Sequence, residues 1–247
     1  MQPRYLQRHA ESMGWPILAA LKPTAELVQV ALDRPVCVVG ARSRVSLPLN
    51  SPHVSKAHAI IVHEAGGVYV RDLVSLNKTF VNKRPVRESW LSDRDIIQFA
   101  TVAFVCRSGF GRPLERQSAP TVELWMTAAG GVSTEVIPLG QETFLIGSRE
   151  GCDLLLEDKD VASAHAIIFV RDGRRYLRNL SPAENTLIDG RFQREAELQG
   201  EELVQIGHRR LEVHLAESVM TLQDDEAPIP WDQAVEEADD VEILQRG

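Results

Sequence analysis

The chain of 247 residues has room for one large domain or two of ordinary size, and its 44% hydrophobic and 25% charged content is typical of a soluble globular protein. Its formal net charge of -8 comes from the C-terminal end: residues 217–247 hold ten Asp or Glu and one basic residue, which leaves 25 of the 35 acidic and 26 of the 27 basic residues in the rest. Neither part has the basic excess of a nucleic-acid-binding protein. No stretch reaches the ~20 apolar residues of a membrane helix, and no signal-peptide cleavage pattern follows the apolar run at 15–21. We therefore expect a cytoplasmic protein.

Short segments rich in β-branched residues predict strands along the first half of the chain. In chain order these predicted strands are 36–39, 59–63, 68–73, 96–99 and 102–106. Turn-forming residues separate them, for example Asn50-Ser51-Pro52. No helical periodicity of ten or more residues interrupts the series, so this half predicts an all-β fold, a β-sandwich.

The same pattern returns at an offset of 107 residues, with predicted strands at 144–146, 166–170, 176–180, 203–206 and 211–215. The block 57–61, Ala-His-Ala-Ile-Ile, recurs unchanged at 164–168, and no insertion or deletion is needed between the copies. A repeat of this length is a domain duplication. The sequence therefore predicts a first domain at 15–108, a linker at 109–121, a second domain at 122–217 and a disordered acidic tail at 218–247.

The duplication also predicts equivalent interior positions. Ile61 should correspond to Ile168, and Leu73 to Leu180, in two separate sandwiches that each bury an apolar core.

An ordered series of motifs runs through the first copy. Gly40 ends a predicted strand, Ser55-Lys56-Ala57-His58 begins fifteen positions later, and Asn77-Lys78-Thr79 is followed by Asn82 and then by Leu91-Ser92-Asp93-Arg94-Asp95. The series resembles the forkhead-associated (FHA) domain, with its glycine–arginine pair, Ser-x-x-His, Asn-Gly-Thr with a following Asn, and Leu-x-Asp-Gly-Asp turn. The resemblance covers nearly all of both copies and implies tandem β-sandwiches whose loops at one end bind phosphothreonine peptides.

The resemblance also implies roles for individual residues. Ser55 would offer the phosphate a hydroxyl and a backbone N–H, Lys56 would add positive charge, and Asn77 would hold the peptide backbone. Thr79 would contact the phosphorylated side chain or brace the loop. The residues expected to be structural are Gly40, His58, Asn82, Gly147 and His165.

The first copy departs from the family pattern at one important position. The phosphate-binding arginine should follow Gly40 directly, but Ala41 stands there, and Arg42 one residue later is the candidate replacement. Lys78 stands where the family usually has glycine. The same loops nevertheless collect basic residues and no acid, which favours an anionic ligand.

The second copy departs further and is predicted to be a degenerate FHA domain. At the offset of 107, Ala162 replaces Ser55, Glu184 replaces Asn77 and Asp189 replaces Asn82. A carboxylate at the rim of a phosphate site repels the ligand.

Two functional hypotheses follow. The first is a phosphothreonine-binding adaptor in Ser/Thr kinase signalling, whose partner is a phosphothreonine-containing protein such as a kinase or its substrate. The alternative is a phosphorylation-independent protein-interaction scaffold. No enzyme motif is present, and no cofactor, nucleic acid or membrane insertion is predicted. The three cysteines have no metal-binding spacing, so no metal site is predicted and reduced, buried thiols are expected.

Overall fold

The computed structural model of the chain describes residues 15–22, 29–64, 67–108, 119, 121–127, 134–183 and 185–216. Within these ranges the fold is all-β, and none of them forms a helix that could cross a membrane. The tail at 218–247, most of the linker at 109–121 and Glu184 lie outside the described residues, and the domain boundaries stay a prediction.

The first copy forms a sandwich of two sheets, and all five strands predicted for it are confirmed. One sheet has six strands in the order β2-β1-β11-β10-β7-β8, and the other has five in the order β4-β3-β5-β6-β9. The strands are β1 (Ile17–Ala20), β2 (Gln29–Ala31), β3 (Val36–Gly40), β4 (Leu47–Pro48), β5 (Ala59–Glu64), β6 (Gly67–Asp72), β7 (Thr79–Val81), β8 (Arg84–Val86), β9 (Glu88–Leu91), β10 (Ile96–Phe99) and β11 (Val102–Arg107).

The second copy repeats this topology strand for strand. Its sheets have the orders β13-β12-β22-β21-β18-β19 and β15-β14-β16-β17-β20, so each strand corresponds to the one eleven places earlier. The strands are β12 (Val122–Thr127), β13 (Thr134–Leu139), β14 (Thr143–Gly147), β15 (Leu154–Leu155), β16 (Ala166–Arg171), β17 (Arg174–Asn179), β18 (Thr186–Ile188), β19 (Arg191–Phe192), β20 (Glu195–Glu197), β21 (Leu203–Ile206) and β22 (Arg209–Leu215).

Each sandwich buries an apolar cluster between its two sheets. Ile61 lies in the first cluster and Ile168 in the second, and both side chains are almost fully buried. Side chains alternate across a strand, so every second residue of β5 and β16 faces these cores.

A third apolar cluster joins the two sandwiches. Ile60 and Val62 of β5 and Ile167 and Phe169 of β16 point away from their own cores and pack into this shared cluster. Leu73 and Leu180 do occupy equivalent positions, but they lie in the shared cluster too. Each sandwich keeps its own sheets and its own core, as expected, and the structure adds a contact that was not predicted: the five-stranded sheets are buried on both faces because they pack against each other.

Ion pairs and hydrogen bonds surround the shared cluster. Arg71 of β6, almost fully buried, donates to Glu88 (3.2 Å) in its own sandwich and to Asp153 (2.8 Å) in the other. Arg87 also pairs with Asp153. Thr143 donates its hydroxyl hydrogen to Glu88 across the interface (2.7 Å). Buried charges need such partners, so this network holds the sandwiches in one arrangement.

Candidate functional site

The candidate site lies in the loops that follow β3, β4 and β6 at one end of the first sandwich. Ala41 donates its backbone N–H to the carbonyl of Ser55 (2.9 Å), and Arg42 donates to that of Lys56 (3.3 Å). A Cβ on Gly40 would lie 2.3 Å from the Lys56 carbonyl oxygen, so only glycine permits this close approach. Gly147 is constrained in the same way by the Ser163 carbonyl, at 2.4 Å.

His58 is fully buried beneath these loops and connects them. Its Nδ1 accepts the backbone N–H of Ser55 (3.1 Å), and its Nε2 lies 3.1 Å from the carbonyl oxygen of Lys78. Because that carbonyl can only accept, Nε2 carries the hydrogen and the ring is neutral. His165 repeats the arrangement with the N–H of Ala162 (3.0 Å) and the hydroxyl of Thr186 (3.1 Å). Burial lowers the pKa of both histidines.

This burial predicts a loss of stability on mild acidification. The unfolded chain binds a proton on each histidine near pH 6.5, whereas the folded pKa of His58 and of His165 is lower. Their contribution to stability is therefore complete above about pH 6.5 and falls as the pH drops towards the folded pKa, by up to ~1.4 kcal/mol per pH unit for each histidine. Urea unfolding between about pH 7 and pH 5 measures this slope. We expect H58Q/H165Q to reduce the slope but not to remove it, because burial also lowers the pKa of His63; an unchanged slope in the double variant would contradict the assignment.

Ser55 offers one of the two donors expected of it. Its backbone N–H is used by His58, which corrects the expectation that this group is available to a phosphate. Its Oγ accepts the backbone N–H of Leu76 (3.1 Å), so its own O–H remains able to donate to a ligand. Lys56 is exposed beside it.

Asn77 lies exposed on the facing loop. One of its amide hydrogens is donated to the His53 carbonyl (2.7 Å), which ties the two loops together and leaves the amide oxygen and the second N–H for a ligand. Leu76, the residue before Asn77, is 74% exposed, and its backbone N–H donates to the Ser55 hydroxyl. Sequence reasoning passed over this leucine, although an apolar residue in a polar loop is a sign of a contact surface.

Thr79 does not belong among the ligand-contacting residues. It is fully buried, and its hydroxyl donates to Asp72 (2.7 Å), whose carboxylate also accepts the N–H and O–H of Ser75 (2.8 and 2.6 Å). Of the two roles that the resemblance implied, Thr79 has the geometry of the bracing one. Lys78, between Asn77 and Thr79, has a φ of 60°, the left-handed conformation for which the family's glycine is suited.

Asn82 lies in the turn between β7 and β8. Its amide donates to Asp95 (2.8 Å), and its side-chain oxygen accepts the N–H of Ile96 (2.9 Å). These bonds join the β7–β8 turn to the turn before β10, and neither of them reaches the loop that carries Ser55.

Arg42 is directed to the other sandwich. Its guanidinium donates to the carbonyl oxygen of Leu180 (2.8 Å), and burial without a counter-ion lowers its pKa. Arg149, at the equivalent position, donates to the carbonyl of Val74 (2.9 Å) in an approximately symmetric contact. The candidate replacement for the family arginine is thus committed to the interface between the sandwiches.

The two sandwiches differ in charge at their equivalent loops. Residues 41–58 contain three basic residues and no acid, and Lys78 adds a fourth on the facing loop. Residues 148–165 contain five acids and two bases. An anion is therefore attracted to the first set of loops and repelled by the second.

In the second sandwich, the asparagine that ties the two loops together lies one residue later than the repeat offset predicts. Asn185 donates to the carbonyl of Asp160 (2.7 Å), just as Asn77 donates to that of His53, although the offset of 107 pairs Asn77 with Glu184. Asp158, Asp160 and His208 lie nearby, with ligand atoms within 4.8 Å of one another. These half-buried or exposed groups are the one set of potential metal ligands among the described residues, and His208 pairs with Asp160 at 3.0 Å.

Both halves of the chain are similar to known protein families. A sequence profile of the FHA domain matches residues 37–100, and a profile described as the inner membrane component of the type III secretion system, cytoplasmic domain, matches residues 129–217. An oxoglutarate dehydrogenase inhibitor of Corynebacterium diphtheriae is 33% identical over 78 residues, which are 32% of this chain. The match covers 54% of that relative, so the chain spans about half its length.

Two solved structures are among those that match part of this chain. The FHA domain of a Chlamydia trachomatis protein is 24% identical, with 38% of this chain and 96% of that one covered and a TM-score of 0.35. Mycobacterium tuberculosis EmbR, solved with a low-affinity phosphopeptide, is 22% identical, with 41% and 26% covered and a TM-score of 0.36.

Proposed function

Because this chain contains an FHA domain at residues 37–100, a class of phosphothreonine-binding module, we propose that the Ser55 end of its first sandwich binds phosphothreonine peptides. The ligand-contacting groups are the Ser55 hydroxyl, the ammonium of Lys56 and the amide of Asn77. Thr79 and His58 hold the loops beneath them.

The charge contrast between the two sandwiches carries this proposal. A phosphate dianion needs converging donors and no competing carboxylate. Residues 41–58 contain no acid, and Lys56 is exposed beside the Ser55 hydroxyl, whereas residues 148–165 contain five acids. The first sandwich is therefore the reader, and the second supports it through the shared cluster.

The chain then acts as a non-enzymatic adaptor. Its partner is a protein phosphorylated on threonine, which connects it to Ser/Thr kinase signalling on the cytoplasmic side of the membrane. Capture of such a partner requires no chemistry from the adaptor, because the phosphate itself is the recognised group.

One observation favours a second function, a scaffold that is indifferent to phosphorylation. Position 41 is alanine, and Arg42 donates to Leu180. If no other cation reaches the phosphate, the Ser55 loops would bind an unmodified partner through Leu76 and Asn77.

A pair of peptide libraries separates the two functions. Each carries degenerate flanking residues, and they differ only in whether the central threonine is phosphorylated. We expect the full chain to bind the phosphorylated library at least about tenfold more tightly, since each charge-assisted hydrogen bond contributes ~1.5–3 kcal/mol. Equal binding of both libraries in calorimetric titrations would favour the scaffold.

A further inference from the structure

A groove of about 550 Å³ is lined by residues of both sandwiches, and Ser55 is not among them. Five arginines line this arginine groove, three from the first sandwich and two from the second: Arg34, Arg42, Arg44, Arg178 and Arg194. Among the described residues, no Asp or Glu lines it. Positive charge from segments more than 130 residues apart in sequence therefore converges on one concave surface.

Part of this charge is already balanced by acids just outside the lining. Arg34 pairs with Asp33 at 3.3 Å, where both side chains are more than half exposed. Arg178 pairs with Glu195 at 2.5 Å, but Glu195 also accepts from Arg171 at 2.9 Å, so one carboxylate serves two guanidinium groups. The local balance remains positive.

The other three arginines form no ion pair with a described residue. Arg42 donates to a neutral carbonyl only, and its partial burial lowers its pKa. Arg44 and Arg194 line the groove without a carboxylate partner in the described part of the chain. A guanidinium presents five N–H donors in a planar fork that matches a carboxylate or phosphate, so an anion would satisfy donors that are unused here.

The groove lining also includes apolar side chains. Val38, Val45, Leu180 and Phe192 line it together with the arginines. Such a surface combines sites for anionic groups with a place for one or two apolar side chains, which is the combination that an acidic peptide segment presents.

We propose that the arginine groove is a second binding site, which takes an acidic peptide segment of a partner protein. Acidic side chains of the segment pair with Arg42, Arg44 and Arg194, and an apolar residue contacts Phe192. The site goes beyond the phosphothreonine reader and does not depend on it, because Ser55 and Asn77 do not line the groove. The shared cluster is required for it, since each sandwich contributes only part of the lining.

Fluorescence anisotropy with two labelled peptides tests this site on the full chain. In one peptide several glutamates flank a leucine, and in the other glutamine replaces every glutamate. We expect the acidic peptide to bind at low ionic strength, the glutamine peptide to bind at least about tenfold more weakly, and added salt to weaken the acidic peptide. A third peptide with phosphoserine in place of the glutamates distinguishes phosphates from carboxylates as the anion; binding of either anionic peptide supports the site.

The variants locate the binding. R44Q/R194Q should weaken the acidic peptide by at least about tenfold, whereas R107Q/R210Q, which removes the same charge from exposed positions outside the groove, should change it by less than about twofold. Ser55→Ala should leave it unchanged, so a failed phosphothreonine site and a failed groove give different results. Equal weakening by both double variants, equal binding of the glutamate and glutamine peptides, or no binding of either anionic peptide would each overturn the proposal.

Discussion

Replacement of Asp153 by alanine is expected to lower the free energy of unfolding by about 3–5 kcal/mol. Asp153 accepts from Arg71 and from the backbone N–H of the buried Leu145, at 2.8 and 2.7 Å, and it also pairs with Arg87. Without Asp153, the buried Arg71 guanidinium would keep only Glu88 as an ion-pair partner, and its charge would be partly uncompensated. The Leu145 N–H would also lose its acceptor.

Urea denaturation of the full chain measures this effect. Glu157→Ala, at an exposed acid just after β15, removes the same charge and should stay within about 0.5 kcal/mol of the wild type. If the Asp153 variant were as stable as the Glu157 variant, Arg71 would not depend on the second sandwich, and the shared interface described here would be wrong.

Ser55→Ala is expected to weaken the phosphothreonine peptide by roughly 10–150-fold, the equivalent of about 1.5–3 kcal/mol for a hydrogen bond to a charged group. The only ligand donor that Ser55 retains is its hydroxyl, because His58 uses the N–H. The remaining attraction comes from exposed charges such as Lys56, so the affinity should also fall with added salt, which screens charges beyond ~8–10 Å.

Calorimetric titration compares this variant with Ser43→Ala, an exposed serine on the adjacent loop, which should bind as the wild type does. In Ser55→Ala the backbone N–H of Leu76 loses its acceptor, which could disturb the loop. The melting temperature of the variant must therefore equal that of the wild type before a loss of affinity is assigned to the phosphate contact. Wild-type affinity in Ser55→Ala would refute the assignment of the phosphate site.

Arg42→Ala decides between the interface role of Arg42 and the role first expected of it. Since its guanidinium donates to Leu180, the structure favours a loss of stability with little change in phosphopeptide affinity. A loss of affinity comparable with that of Ser55→Ala would instead mean that Arg42 turns to the phosphate when the ligand binds.

The local pattern of the chain was sufficient to predict the duplication and the all-β sandwich class, and the motif series indicated the candidate loops. Strand patterning, turn residues and the spacing from Gly40 to His58 are local properties, and the offset of 107 residues returned as an identical strand order in both sandwiches. His58 was expected to be structural, and its two hydrogen bonds beneath the loops agree with the chemistry of a buried neutral imidazole.

Two continuously apolar strands in the sequence indicate the contact between the sandwiches. Residues 59–62 and 166–170 are continuously apolar, whereas a strand with one solvent-facing side alternates. Both strands are buried on both faces, and Ile60 and Ile167 face the other sandwich.

Only the tertiary structure decided where individual hydrogen-bonding groups are used. The direction of Arg42 depends on a carbonyl 138 residues away, and the Ser55 N–H is taken by a histidine whose ring orientation no spacing determines. Loop geometry likewise decides that Asn185, and not Glu184 at the repeat offset, takes the place of Asn77 in the second sandwich. The strands follow from local patterns, whereas the partners of side chains at loops and interfaces depend on which distant groups the fold brings within about 3 Å.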